Sequence, residues 1–328
     1  MDFFLQLLVD GLTLGALYAL IALGFTMVYG ILLMINFAHA EMFMTGGFIG
    51  YAILNLFSNP ATIEAASNVF GPLSVLNSLQ PFFTTTALGF IIMMVLVFGV
   101  TAFLVGCLGV IIERFAYRPL RNSPRLCPLI SALGMSLFLQ NFVLLTVGNR
   151  LVFPMPEFLK NLDSVNIFGY IHIAPIDLII FCTAIVLLIV LDRFISMSKL
   201  GKAMRATSQD KDAAGLMGIN INSVIALTFF IGPALGAVAG IFSGMKYGVV
   251  TFTMGFFPGI KAFTAAVLGG IGNLRGAMLG GFIIGILEAM SSGYISVAYR
   301  DVITFGVLIL ILIFRPGGLL GESVVEKV

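Results

Sequence analysis

The chain has 328 residues, of which 59% are hydrophobic and 10% charged, with a mean hydropathy of +1.10. A soluble domain of this size could not carry so apolar a surface, so the composition predicts an all-α integral membrane protein. A formal net charge of +2 is too small to indicate binding to nucleic acid. The three cysteines form no CxxC pair and no metal-ligand spacing, so we predict neither a disulfide framework nor a metal site.

Apolar runs long enough to cross about 30 Å of hydrocarbon predict about eight transmembrane helices, within a range of seven to ten. The runs are 3–35, 40–57, 87–112, 128–147, 175–191, 223–245, 258–290 and 298–314. The first and seventh would each measure about 50 Å as straight helices, so we expect them to be tilted or broken, and favour a break.

The sequence GGIGNLRG (269–276) is the predicted break in the seventh run. Non-helical backbone is tolerated at membrane depth where protein or a cavity satisfies its polar groups. A nucleotide-binding glycine loop is excluded here, since Arg275 occupies the third glycine position and no strand–loop–helix unit surrounds it.

Basic residues divide the loops between the two sides of the membrane. The loops 113–125 and 193–222 are rich in arginine and lysine, so the positive-inside rule predicts that both are cytoplasmic. The loops 58–86 and 148–174 are then periplasmic, and the amino terminus is outside. The side of the carboxyl end stays open, because Arg300, Arg315 and Lys327 cannot all be inside if 258–290 is one simple span.

Polar residues within the apolar runs are candidates for a translocation path. Asn36, His39 and Glu41 lie within six residues, and ionisable groups at such depth usually face a bundle interior or a water-filled path. Asn36 and His39 could share a helical face. The alternative is an interfacial turn that satisfies its own backbone. For three other polar residues we expect hydrogen bonds between helices rather than substrate contact: Gln140, Asn141 and Glu288.

Glycines recur every four residues in several segments, including the pairs Gly11/Gly15 and Gly281/Gly285, and this spacing is typical of faces where membrane helices approach closely. The predicted packing positions are Gly232, Gly236, Gly240, Gly244, Gly272, Gly276 and Gly280. Such a face serves either static packing or helix sliding during transport, and the spacing leaves both interpretations open.

The charged island 193–222 has a cytoplasmic role under this topology. At helical spacing it alternates apolar or small positions with charged ones, which favours an amphipathic segment that docks in a partner's groove. A solvated connector whose lysines set topology is the alternative interpretation.

Three stretches, 11–48, 202–221 and 261–290, closely resemble the H-type permease subunit of bacterial branched-chain amino acid ABC importers, and the resemblance covers nearly the whole chain. It implies a single transmembrane permease domain over 1–328, including a cytoplasmic coupling segment at 199–218, in the bacterial inner membrane. It implies a second permease subunit, two cytoplasmic ATPase subunits and a periplasmic amino-acid-binding protein as partners. No cofactor is expected on this chain itself, and ATP with magnesium would be bound by the ATPase subunits.

The resemblance also identifies a coupling motif. Importer permeases carry Glu-Ala-Ala, three residues, then Gly, and Asp212-Ala213-Ala214 with Gly218 matches this with Asp in place of Glu. The later Ile-x-Leu-Pro of the motif is absent, which limits the match to 212–218. The residues expected to couple to an ATPase are Leu200, Lys202, Met204, Arg205, Asp212, Ala213, Ala214, Leu216 and Gly218.

Other functions remain in competition at this stage. Related permeases carry urea or short-chain amides, and no pocket residue separates these substrates from branched-chain amino acids. A self-contained secondary carrier is less favoured, since the chain is short and shows no pair of membrane carboxylates that would indicate ion coupling. A channel is also less favoured, because it would not need the cytoplasmic island to bind a motor. The motif GxxxxGK[ST] is absent, so we do not expect the chain to be an enzyme that hydrolyses ATP.

Overall fold

A computed structural model describes the fold over residues 2–32, 34, 36–59, 62–64, 80–84, 86–121, 123–124, 126–167, 171–315 and 317–321. Within these residues, eight helices are long and apolar enough to cross a membrane, and one shorter apolar helix has 14 residues. The protein is therefore an all-α, multi-pass membrane protein, as the composition predicts.

The helices follow the predicted runs closely. In chain order they are α1 Asp2–Leu32, α2 His39–Ser58, α3 Ala87–Ile112, α4 Leu126–Thr146, α5 Glu157–Lys160, α6 Pro175–Met197, α7 Lys199–Gln209, α8 Lys211–Leu216, α9 Ile221–Tyr247, α10 Phe256–Gly269, α11 Leu274–Tyr294 and α12 Arg300–Phe314. Four short strands lie between them: β1 Arg150–Val152, β2 Val165–Ile167, β3 Ile171–Ile173 and β4 Val249–Thr251. Strand β1 pairs antiparallel with β4, and β2 pairs antiparallel with β3.

The expected break in the first run is wrong, because α1 is one continuous helix of 31 residues. Its glycines are packing positions and do not interrupt it. A Cβ at Gly11 would lie 2.7 Å from the Cα of Ile286, and a Cβ at Gly15 would lie 2.7 Å from the Cα of Phe282. Close contact with α11 therefore holds these residues in helix and offsets their low helix propensity.

The predicted break in the seventh run is confirmed. Helix α10 ends at Gly269, and the backbone turns through Gly270 and Gly272, whose φ angles of 106° and 91° favour glycine. The Asn273 side chain then accepts a hydrogen bond from the backbone N–H of Gly276 at 3.0 Å and caps α11. The run thus folds as a hairpin of a short helix and a membrane-spanning helix rather than as one helix.

The loops sort to the two ends of the bundle as the charge pattern predicts. Arg121 donates to the side chain of Asn222 at 2.7 Å, so the first basic loop and the 193–222 segment share one end, which we call the basic end. At the opposite end, Gln6 donates to the carbonyl of His172 at 3.1 Å, near the paired strands β1 and β4. Most of the loop 58–86, with residues 60–61, 65–79 and 85, lies outside the described residues.

The carboxyl end of α12 leads to the break between α10 and α11. Residues 317–321, which we call the C-terminal strap, bind the break between α10 and α11. Leu319 N donates to the carbonyl of Leu268 at 2.8 Å, Leu320 N donates to Gly269 at 3.0 Å, and Asn273 Nδ2 donates to the carbonyl of Leu320 at 2.9 Å. Arg315 therefore lies at the basic end, while Arg300 begins α12 at the opposite end. Lys327 lies outside the described residues.

Helices α1, α2 and α9 form the centre of the bundle. In the most apolar stretch of each helix, 72% of α9 and 67% of α1 is buried, against 17% of α6 and 6% of α12. The outer helices carry large exposed apolar side chains, which in a membrane protein meet lipid or partner helices.

The glycine faces differ in how closely they pack. A Cβ at Gly240 would lie 2.0 Å from the carbonyl oxygen of Phe43, whereas a Cβ at Gly236 would meet nothing nearer than 3.6 Å. On α11, a Cβ at Gly276 or Gly280 would lie 2.2 or 2.1 Å from a carbonyl oxygen of α10. Gly272 does not belong to this face, because it lies in the break with a positive φ. Gly232 and Gly244 are buried on α9, the latter against the Phe153 ring.

Candidate functional site

Helix α10 begins inside the bundle, between two groups of buried polar residues. A Cβ at Gly255 would lie 2.5 Å from the carbonyl oxygen of Ala40, and a Cβ at Gly259 would lie 2.2 Å from the Ala40 side chain. Only glycine allows α10 to approach the start of α2 this closely. The same helix carries Lys261, which faces α11 and α12.

On the α2 side, the Glu41 carboxyl group is fully buried. Its Oε1 accepts hydrogen bonds from Ser136 Oγ at 3.0 Å and Gln140 Nε2 at 2.7 Å, both from α4. Its Oε2 has no hydrogen-bond partner among the described residues and lies against Gly255. Gln140 thus makes the predicted bond between helices. Asn141 does not, since its side chain donates to the Leu137 carbonyl of its own helix.

His39 and Asn36 are buried, but they point to different helices. The Nε2 of His39 lies 3.3 Å from the carbonyl oxygen of Ile21, and its ring packs edge-on against Phe25. The Asn36 side chain accepts a hydrogen bond from the Tyr117 hydroxyl group. Asn36 precedes α2, so the prediction that it shares a helical face with His39 is wrong.

On the other side of α10 lies a buried ion cluster that the sequence reasoning missed. Lys261, only 3% exposed, contacts the carboxylates of Glu288 and Asp301, each at 2.7 Å. Glu288, 4% exposed, also accepts a hydrogen bond from the Tyr18 hydroxyl at 2.8 Å. The Nε of Arg300 lies 3.6 Å from Glu288 and extends the cluster towards the surface.

The sequence held a signal for this cluster. Lys261 and Glu288 are opposite charges within one apolar run, on either side of the predicted break. A break that folds the run into a helical hairpin brings them together, and a buried charge requires such a partner. Glu288 does bond between helices as expected, but mainly as half of an ion pair.

The coupling segment 199–218 folds as two short capped helices. Ser198 caps α7 by accepting from Gly201 N at 2.9 Å, and Asp210 caps α8 by accepting from the N–H groups of Asp212 and Ala213. Gly218 has a φ of 82°, a conformation that side-chain-bearing residues rarely adopt, so the chain turns there before α9.

Only part of the expected docking surface is available to a partner. Leu216 is 90% exposed and Leu200 is 49% exposed, while Lys202, Arg205, Asp212 and Ala213 are also exposed. Met204 and Ala214 are 3% and 4% exposed, so the prediction that they enter a partner's groove is wrong: both side chains pack inside this chain. Met217, 83% exposed beside Leu216, joins the accessible apolar tip.

The end of α3 meets this segment. Burial, together with the positive charge of the Arg121 guanidinium, lowers the pKa of Lys211 below its usual value. Arg121 also contacts Glu113, the residue that follows the last residue of α3. Within α8 the Ala214 side chain is buried, so the segment packs against the bundle there, while Leu216 and Met217 project outwards as an apolar tip.

The buried charged groups on the two sides of α10 are held by contacts within the chain. Among the described residues, no group of three or more His, Cys, Asp or Glu side chains could hold a metal ion. The buried charges are instead paired or hydrogen-bonded across helices, on both sides of α10.

Comparison with known proteins gives a match over nearly the whole chain. Residues 7–312 match the protein family described as branched-chain amino acid transport system, permease component. The chain is 45% identical to the high-affinity branched-chain amino acid transport system permease protein BraD of Pseudomonas aeruginosa, over 99% of this chain and 98% of BraD. It is 44% identical to the LivH proteins of Salmonella typhimurium and Escherichia coli, with the same coverage. No solved structure matches the chain.

Proposed function

The chain belongs to the family of branched-chain amino acid transport system permeases, and on that premise we propose that it is a subunit of an ATP-driven importer for leucine, isoleucine and valine. The observation that carries the proposal is the match to BraD and LivH along the full length of both proteins. We place the subunit in the bacterial inner membrane, where it forms half of the translocation path. A second, homologous permease subunit forms the other half.

The two polar groups beside α10 support a path along this helix. A zwitterionic amino acid needs partners for both of its charges inside the bilayer, where an unpaired charge is costly. Asn36, His39 and Glu41 lie on one side of α10, and the Lys261–Glu288 pair lies on the other. A discontinuous helix at a substrate site is a recurrent arrangement in membrane transporters.

Energy for transport comes from separate subunits in this proposal. Two cytoplasmic ATPases bind ATP and magnesium, and this chain binds no cofactor and hydrolyses nothing. The accessible tip at Leu216 and Met217 supports docking of an ATPase at the basic end, with Lys202, Arg205 and Asp212 as exposed charges around it. A periplasmic binding protein delivers the amino acid at the opposite end.

Reconstitution in proteoliposomes tests the proposal. We expect the chain, its permease partner, the ATPases and the binding protein to import labelled leucine, isoleucine and valine only when ATP is present on the ATPase side. Labelled urea and acetamide serve as competing substrates. Import of these amides with no import of leucine would overturn the assigned substrate, and leucine transport by the isolated chain would indicate a carrier or a channel.

A further inference from the structure

A cavity lies at the basic end, away from the polar groups beside α10. Its volume is about 160 Å³, and it opens between α1, α7 and the break that joins α10 to α11. The walls are mostly apolar, with Met27 and Ile31 from α1, Ile195 from the end of α6 and Met204 from α7. An apolar cavity of about 150 Å³ holds a molecule the size of benzene, so this one has room for a branched aliphatic side chain.

The cavity also contains polar groups with spare hydrogen-bonding capacity. The hydroxyl of Thr26 is 1% exposed and has no hydrogen-bond partner among the described residues. Arg205 donates to the carbonyls of Ile195 and Ser196, at 3.0 and 3.3 Å. A guanidinium group has five N–H donors, so three remain for an anionic ligand.

Two helix ends of opposite polarity meet at this cavity. Gly30 and Ile31 belong to the last turn of α1, whose terminal carbonyls favour a positive charge. Leu274 is the first residue of α11, whose N-terminal N–H groups favour a negative charge. The end of α1 thus suits an ammonium group, the start of α11 suits a carboxylate, and the apolar walls suit an aliphatic side chain. An amino acid with an aliphatic side chain carries all three groups.

We propose that this cavity binds a branched aliphatic amino acid from the cytoplasm, and that binding slows the transport cycle. The direction of access rests on the function and topology proposed above. The buried Thr26 hydroxyl and Arg205 hydrogen-bond the carboxylate, while the apolar walls enclose the side chain. The importer thus carries a site for its own product, separate from the path beside α10.

The position of the ligand explains why it would slow the transport cycle. It contacts α1, at the centre of the bundle, together with Met204 and Arg205 of α7, in the coupling segment. A ligand stabilises the conformation that binds it best, so an occupied cavity opposes any step that moves α7 away from α1. With ligand at ten times its dissociation constant, the turnover rate falls by up to about tenfold.

Two substitutions alter the cavity without removing a packed side chain. Gly30→Met projects a side chain into it, and a Cβ at Gly30 meets only the Cα of Gly272, at 3.4 Å. Thr26→Val removes the unpartnered hydroxyl while keeping the shape of the side chain. The matched control is Gly134→Met on α4, where a Cβ would have no heavy atom within 4 Å.

The assay uses the complete importer in proteoliposomes loaded with ATP and with unlabelled leucine from zero to millimolar concentration. Initial uptake of labelled leucine is compared, for each variant, with its own rate at zero internal leucine. We expect internal leucine to slow uptake equally in the wild type and Gly134→Met, and to leave uptake by Gly30→Met unaffected. In Thr26→Val, the same degree of inhibition should need about fivefold to tenfold more internal leucine, since one hydrogen bond to the ligand is lost. A wild type insensitive to internal leucine, or a Gly30→Met variant inhibited as strongly as the wild type, overturns the proposal.

Direct binding separates this site from the import function. Labelled leucine is titrated into the detergent-purified importer without its binding protein, for the wild type, Thr26→Val and Gly134→Met. Weaker binding in Thr26→Val alone supports the site even if no uptake is seen, whereas equal binding by all three refutes it. Absence of uptake at zero internal leucine, by contrast, counts against the proposed function and not against the cavity.

Discussion

Replacing Lys261 with Met should destabilise the protein strongly, because it leaves Glu288 charged and buried. The two residues are 3% and 4% exposed, and their charged atoms lie 2.7 Å apart. Removing one partner of a buried ion pair costs about 3–5 kcal/mol. The Tyr18 hydroxyl and the nearby Arg300 still stabilise the Glu288 carboxylate, so we expect a loss near the lower limit, about 3 kcal/mol.

The double variant Lys261→Met/Glu288→Gln should recover much of this loss. It removes both charges of the pair, and the glutamine carbonyl can still accept the Tyr18 hydrogen bond. Asp301, 37% exposed at its side chain, can reach water when Lys261 is absent. We expect the two substitutions to be coupled by about 2 kcal/mol, as is typical of residues in direct contact.

Thermal unfolding of the purified protein in detergent measures the effect. The expected order of midpoint temperatures is wild type, then the double variant, then Lys261→Met. The matched control is Arg275→Met, which breaks an ion pair of similar length whose arginine side chain is 72% exposed, and its midpoint should stay close to that of the wild type. Two results would refute the reasoning. One is a Lys261→Met midpoint equal to that of Arg275→Met, and the other is a double variant whose loss of stability equals the sum of the losses in the Lys261→Met and Glu288→Gln single variants.

Three further predictions test separate parts of the fold. Gly240→Ala should lower the free energy of unfolding by about 1–3 kcal/mol, because its Cβ would collide with a backbone carbonyl. Gly236→Ala, one turn away, has room for the Cβ and should be tolerated. A lower unfolding midpoint for both variants would contradict the contact geometry. Leu216→Asp should preserve the yield and elution profile of the permease but lose the ATPases on purification, and retention of the ATPases with normal transport would show that this tip does not dock. In intact cells, an impermeant thiol reagent should label Asp163→Cys and not Ser208→Cys, and the reverse pattern would invert the topology.

Helix positions and the break were predictable because they depend on local sequence. Apolar length defines the crossings, and the Gly-Gly-x-Gly-Asn sequence at 269–273 carries both the glycines for the turn and the cap for the next helix. The break expected in the first run failed for a non-local reason. The break was inferred from the length of the run alone, whereas Gly11 and Gly15 are positions at which α11 packs against an unbroken α1.

The candidate site was predicted less well, since it depends on contacts between distant helices. Glu41 was found because it lies among other polar residues, while Lys261 is a lone charge whose partner is 27 residues away. In the coupling segment, the apolar positions were identified but not their direction. Whether Met204 of α7 or Leu216 of α8 faces a partner depends on how these two helices pack against the bundle, which helical spacing alone does not specify.

The C-terminal strap sets the order in which the protein can be completed during synthesis. The carbonyls of Leu268 and Gly269 receive their hydrogen bonds from Leu319 and Leu320, about fifty residues further along the chain. At about 5–20 residues per second, a ribosome needs about three to ten seconds to cover that distance. The break between α10 and α11 is therefore synthesised several seconds before the N–H groups of Leu319 and Leu320 that bond to it. These hydrogen bonds form only after α12 has been inserted in the membrane. A nascent chain stopped before Leu319 would leave this loop open, which gives the cell a structural mark by which an unfinished permease differs from a finished one.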